Sequence, residues 1–197
     1  MSNLLSGSGA RSIARPKTVI FANSKGGVGK STLALLMGLG LATRHQDASV
    51  KLIDLDPQAT SSDSLRRFCD MRFSVVNDTR LNLADGGPDN ENIVKTIDAE
   101  RNSQYNKRFV VLDSAAGSDP SRSPFLFQCD IMLIPTSVSD ADIFATKKYL
   151  AALHNLFSTH EIRHTTPPPA LVVLPNLVDS REEFNELRHS LAKEQVY

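Results

Sequence analysis

The chain is poor in several features, and each shortage removes a class of explanation. It has two cysteines in 197 residues, Cys69 and Cys129. Their separation fits no metal-ligand spacing and no disulfide framework, so free thiols in a reducing compartment are expected. Charge of either sign is not in excess: 22 lysines and arginines balance 22 acids. Binding to nucleic acid or an anionic surface therefore has to come from a local patch, not from the whole molecule. No apolar run is long enough to cross a bilayer, and the N-terminus has no signal-like hydrophobic stretch. A cytoplasmic protein with no membrane partner is expected. The length suits one domain with a sizeable core.

What is present is concentrated in eight residues, Lys25-Gly26-Gly27-Val28-Gly29-Lys30-Ser31-Thr32. An apolar stretch, 18–22, precedes them and another, 33–37, follows. Strand, glycine turn and helix is the setting of a phosphate cradle. Glycines let the backbone curl so that its N–H groups converge on an anion. Lys30 has the reach for β- and γ-phosphate oxygens, and the Ser31 hydroxyl suits Mg²⁺. ATP with Mg²⁺ is the expected ligand pair.

The rest of the chain alternates. Strands are expected at 18–23, 49–55, 72–76, 108–113, 130–135 and 170–176. Helices are expected at 30–45, 60–70, 89–101, 123–128, 140–157 and 180–194. Continuous apolar strands separated by helices predict an α/β domain with a mainly parallel central sheet and helices on both faces. The first helix is apolar nearly all round and should be buried, with Gly38 and Gly40 allowing close approach to the sheet. Asp89 reads as an N-cap after the turn at 85–88. Residues 1–16 read as a flexible basic leader, and 17–197 as a single P-loop domain.

Three carboxylates stand at strand ends. Asp54 and Asp56 share a face in Asp54-Leu55-Asp56-Pro57-Gln58. Asp113 closes the apolar strand Phe109-Val110-Val111-Leu112. Carboxylates beside a polyphosphate need Mg²⁺ or water between them and it, which suits hydrolysis.

Ordinary phosphate loops carry a glycine where this chain has Ser24, and here a second lysine, Lys25, follows. In this it resembles the deviant Walker A ATPases of the ParA/MinD family. The resemblance implies that Lys25 reaches the nucleotide of a second subunit in an ATP-dependent homodimer. It implies that Asp56 is the catalytic carboxylate of an Asp-x-Asp-Pro-Gln motif. Asp113 and Asp54 would support Mg²⁺, largely through water, and Gly117 would sense the γ-phosphate. Asn176, after the last strand, resembles an adenine-binding asparagine, although a plain turn residue is nearly as good a reading. Pro135-Thr136 resembles a segment lining the nucleotide pocket.

Within the family, the cluster-ligating cysteine of the redox branch has no counterpart in 114–120, and the Cys-x-x-Cys pair of the iron–sulfur scaffold branch is absent from the sequence. The terminal helix, with Phe184, Leu187 and Leu191 on one face, carries too many glutamates for a MinD-like membrane anchor. The small plasmid-type ParA branch remains. It implies non-specific DNA binding, a ParB-type partner that stimulates hydrolysis, and a cytoplasmic, nucleoid-associated location. Candidate DNA-facing cations are scattered: Arg101, Lys107, Arg108, Lys147, Lys148 and Arg163. The alternative is an ATP-state switch that recruits a partner or positions cargo without touching DNA.

Overall fold

A computed structural model describes residues 15–57, 62, 72–158 and 167–192. The strands are β1 (Lys17–Phe21), β2 (Ala48–Asp54), β3 (Phe73–Val76), β4 (Lys107–Asp113), β5 (Ile131–Thr136) and β6 (Ala170–Pro175). The helices are α1 (Lys30–Arg44), α2 (Asn90–Ala99), α3 (Asp140–Ser158) and α4 (Arg181–Leu191). All six strands run parallel, in the order β3-β2-β4-β1-β5-β6. The order reverses at β1, between β4 and β5. Such a switch point opens a crevice at the carboxyl ends of the strands, and β1 delivers the glycine loop there.

Period-two alternation splits the core between the two faces. Phe21, Val50, Leu52, Phe73 and Val111 face α1. Ile20, Ala22, Ile53, Leu112, Met132 and Ile134 face the other way, against Ile93 and Ile97 of α2 and Tyr149 and Leu153 of α3. Strands buried on both sides explain why the sequence reads as unbroken apolar runs.

Some expectations change. α1 is not buried all round: Lys30, Ala34 and Gly38 form its buried line, while Leu36 is 59% exposed. One helix face is enough to cover the sheet, so the opposite leucines stay at the surface. A Cβ on Gly38 would lie 3.1 Å from the Phe73 ring, so this glycine does permit close approach. Gly40 has nothing near it and has no such role. The helix expected at 123–128 is a short 3-10 turn, Pro124–Gln128, burying Phe125, Leu126 and Phe127. Its proline and five-residue length leave no room for an α-helix. The helix expected at 60–70 lies, Ser62 apart, outside the described residues, as do residues 1–14 and 193–197.

Two other readings hold in detail. The Asp89 carboxylate caps α2 by accepting from the Asn92 amide. In α4, Leu187 is buried, whereas Phe184 on the same stripe is 41% exposed. Arg15 donates to the Gln128 carbonyl and, with Lys17, pairs with Asp130, tying the start of β1 to that of β5.

Candidate nucleotide site

The loop between β1 and α1 is fixed from below by Asn23, which is fully buried. Its Nδ2 donates to the Pro135 carbonyl and to Thr146 Oγ1, both at 2.9 Å, and its Oδ1 accepts from the Lys25 amide. Thr146 Oγ1 in turn donates to Thr136 Oγ1. A fully satisfied buried network of this kind holds a loop in one geometry. It ties β1, β5 and α3 together beneath the loop. Asn23 and Thr146 were not legible as site residues, because their roles depend on long-range contacts.

Above that anchor the backbone turns sharply. Gly27 has φ 80° and Gly29 has φ 93°, both left-handed values that favour glycine. Gly29 is also the N-cap of α1, and no side chain caps the helix there. The first-turn N–H groups and the positive end of the helix dipole thus face the crevice without a protein acceptor from the cap residue. Ser31 and Thr32 lie in that first turn.

The two lysines behave differently. Lys30 is buried, and its Nζ donates to the Lys25 carbonyl at 2.9 Å. Burial pushes its pKa down, while the charges of Asp113 and Asp56 oppose that shift. Lys30, Asp113 and Asp56 therefore form one electrostatic group. Lys25 is 43% exposed along its side chain, and its nearest acid is Asp142 of α3, at 3.7 Å. Asp142 also accepts from Ser137 Oγ. Nothing in the sequence around Asp142 marks it as a neighbour of the loop.

The carboxylates divide by environment. Asp54 and Asp113 end adjacent strands in register and are both buried. Asp54 turns its oxygens toward backbone, accepting from the Asp56 and Ser62 amides. Asn77 closes the same segment by donating to the Asp54 and Asp56 carbonyls. Asp54 thus shapes the segment that carries Asp56. Beyond Asp113, Gly117 (φ 75°) donates its amide to the Ser24 carbonyl at 2.8 Å. This single bond joins the 114–117 segment to the phosphate loop.

Asn176 crosses from the end of β6 to the loop and donates through Nδ2 to the Val28 carbonyl at 2.9 Å. A Cβ on Gly29 would collide with that Nδ2. Gly29→Ala therefore combines left-handed strain with a clash. We expect it to cost about 1–3 kcal/mol of stability. It should also remove nucleotide binding, measured by chemical denaturation and by titration calorimetry.

Several of the DNA-facing cations expected from the sequence have partners within the chain. Lys107 and Arg108 begin β4, at the sheet edge opposite the loop. Lys107 pairs with Asp47, and Arg101 with Asp98. Lys148 lies over the Phe144 ring on α3, and Arg163 is outside the described residues. No helix among the described residues is long and apolar enough to cross a membrane.

Comparisons with known proteins agree with this geometry. Residues 19–196 match the model of the CobQ/CobB/MinD/ParA nucleotide binding domain. A curated relative, the maintenance of carboxysome distribution protein A of Halothiobacillus neapolitanus, is 28% identical over 144 residues. That match takes in 73% of this chain and 61% of the relative, so the chain spans under two thirds of the relative's length. Among solved structures, cobyrinic acid a,c-diamide synthase from Mycobacterium smegmatis, with an ATP analogue and magnesium bound, superposes with a TM-score of 0.62. It is 19% identical and covers 91% of this chain and 82% of its own. The pNOB8 ParA bound to nonspecific DNA gives a TM-score of 0.58 at 18% identity, covering 92% of this chain and 77% of that one. With the two-lysine loop, the acids at the strand ends and the parallel sheet already in place, the family match settles the class: the chain belongs to the CobQ/CobB/MinD/ParA nucleotide-binding domain family.

Proposed function

We propose that the chain is a dimerising ATP switch of the ParA kind, which holds DNA non-specifically in its ATP state and releases it after hydrolysis. The observation that carries this reading is the division of labour between the two lysines. Lys30 is buried toward Asp56 and Asp113 and serves its own site. Lys25 is half exposed, and among the described residues its side chain has a long ion pair to Asp142. Such a pair is worth about 0–1 kcal/mol, so the ammonium is readily given up to another partner. A second copy presenting a triphosphate would supply a stronger one.

The residues present fit ATP and Mg²⁺. The uncapped helix start, the glycines and the buried ammonium suit a polyphosphate. No trio of His, Cys, Asp and Glu converges on a metal among the described residues. A Mg²⁺ here would take its ligands from Ser31, phosphate oxygens and water, with Asp113 in support, as this cation prefers. When bound, the ion draws charge from the phosphates. Asp56 would orient the attacking water, Asp54 keeps the Asp56 segment in place, and the Gly117–Ser24 bond would report the state of the site. Asn176, the residue proposed to meet the base, holds the loop's Val28 carbonyl.

The carboxysome-distribution relative supports a second reading, in which the same switch positions a cargo other than a plasmid. The first reading takes DNA as its track; a switch that positions cargo or recruits a partner without touching DNA does not. Co-sedimentation with random duplex DNA separates them. Retention with ATP and loss with ADP is expected, and dimers that ignore DNA in every nucleotide state would refute the DNA-tracking reading. A ParB-type activator would then be recognised by faster ATP turnover on mixing.

A further inference from the structure

The sheet face opposite α1 contains a cavity of about 130 Å³ that no step of the switch uses. Ile20, Ala22 and Leu55 form its floor, and Phe125, Leu126 and Tyr149 wall it. Its roof has two parts. One is the 82–88 turn, where the Leu83 amide bonds Gly87 and Gly86 has φ 78°. The other is Ser114–Asp119, the segment that leads from Asp113 to the Gly117–Ser24 bond. The cavity therefore lies directly behind the segment that bonds to the phosphate loop.

Three observations point to a ligand there. The size is close to that of a cavity of roughly 150 Å³ that admits benzene in another protein. The lining is mainly apolar, yet Ser114 borders it with a buried hydroxyl that has no hydrogen-bond partner among the described residues. Such a group costs stability until it is satisfied. The mouth is also bordered by something easily moved. Arg122, which is exposed, reaches across to Asp85 at 2.5 Å, and Asp85 in turn accepts from the Gly87 amide. A side chain at position 87 would strike the guanidinium, so only glycine lets Arg122 lie over the turn. An exposed ion pair of this kind is a weak latch.

We infer that this cavity is a regulatory site for a compact, mostly apolar group of about benzene size carrying one hydrogen-bonding atom, and that filling it braces the 114–118 segment and alters ATP turnover. The group could come from a free small molecule or from a side chain of a docked protein; the chemistry is shared. The effect on turnover rests on the proposed switch, but binding does not.

Phenol is the first probe, and N-acetyl-tyrosinamide, which hangs the same ring on a peptide, is the second. Phenol at ten times its dissociation constant should raise the melting temperature by about 3 °C or more. It should also change the turnover number at least twofold while calorimetry shows ATP uptake intact. Binding of both probes identifies a mouth open to a protein side chain; binding of phenol alone identifies a small-molecule site. Leu126→Phe, which fills the cavity, should abolish both responses. If that variant does not fold, Asn82→Phe places a ring in the half-buried mouth instead and should do the same. No thermal shift with phenol, or an equal shift in a folded filled variant, overturns the site. A shift without any change in turnover overturns the regulation. Failure of ATP uptake by the unmodified protein would strike the ATPase reading and leave the binding result standing.

Discussion

Replacing Lys25 with alanine is expected to lower ATP turnover by roughly 10³-fold or more, the scale on which trans-acting cations operate in related P-loop enzymes. Nucleotide uptake by the monomer should survive, because the contacts that hold the loop in shape lie elsewhere. Asn23 binds the Lys25 amide, and Lys30 binds the Lys25 carbonyl; alanine keeps both backbone groups. What is lost is a side chain that is already half exposed and pairs at 3.7 Å with Asp142. Stability should therefore change little. Turnover and sizing-column mass with ATP are the readouts, and unchanged values for both would remove the trans role. Asp142→Asn is the complementary control. It releases the same ammonium without deleting it, so dimers should form at lower protein concentration. A variant that dimerises no better than the parent would mean that Asp142 does not compete for Lys25.

The parts of this site that the sequence exposes are those encoded by local chemistry. The glycine loop needs left-handed backbone at two positions and an uncapped helix start, and only a narrow set of residues supplies both. Strand-end acids are readable because a buried parallel strand is an apolar run and its end is abrupt; Asp54 and Asp113 prove to be register partners. Packing across the sheet is less readable. α1 is apolar on faces it does not bury, so hydrophobicity alone overstated its burial. Residues 123–128 looked helical by composition, but two proline-led turns divide the stretch from Pro120 onward. Asn23, Thr146 and Asp142 act through partners more than a hundred residues away in sequence, and no local pattern predicts such a meeting.

Asp56→Ala should separate binding from chemistry. Asp56 contributes its amide and carbonyl to the segment beyond β2, through Asp54 and Asn77, and alanine retains both. The segment should keep its shape. The carboxylate itself is felt electrostatically by Lys30, as is that of Asp113. Removing one of two acids near a site for a tetra-anionic ligand lowers repulsion, so ATP affinity should hold or rise. Turnover is another matter. Without a carboxylate to orient water or accept its proton, a loss of about 10²–10⁴-fold is expected, the usual scale of general-base catalysis. The variant should then accumulate as ATP-loaded dimers on a sizing column, stable over times in which the parent protein returns to monomer. Asp54→Ala should behave differently. It removes the acceptor of two backbone amides at a buried position, so a drop in melting temperature is expected together with the loss of activity. If instead Asp56→Ala abolishes ATP binding while Asp54→Ala leaves the fold untouched, the two aspartates have exchanged roles, and the water-orienting group is Asp54.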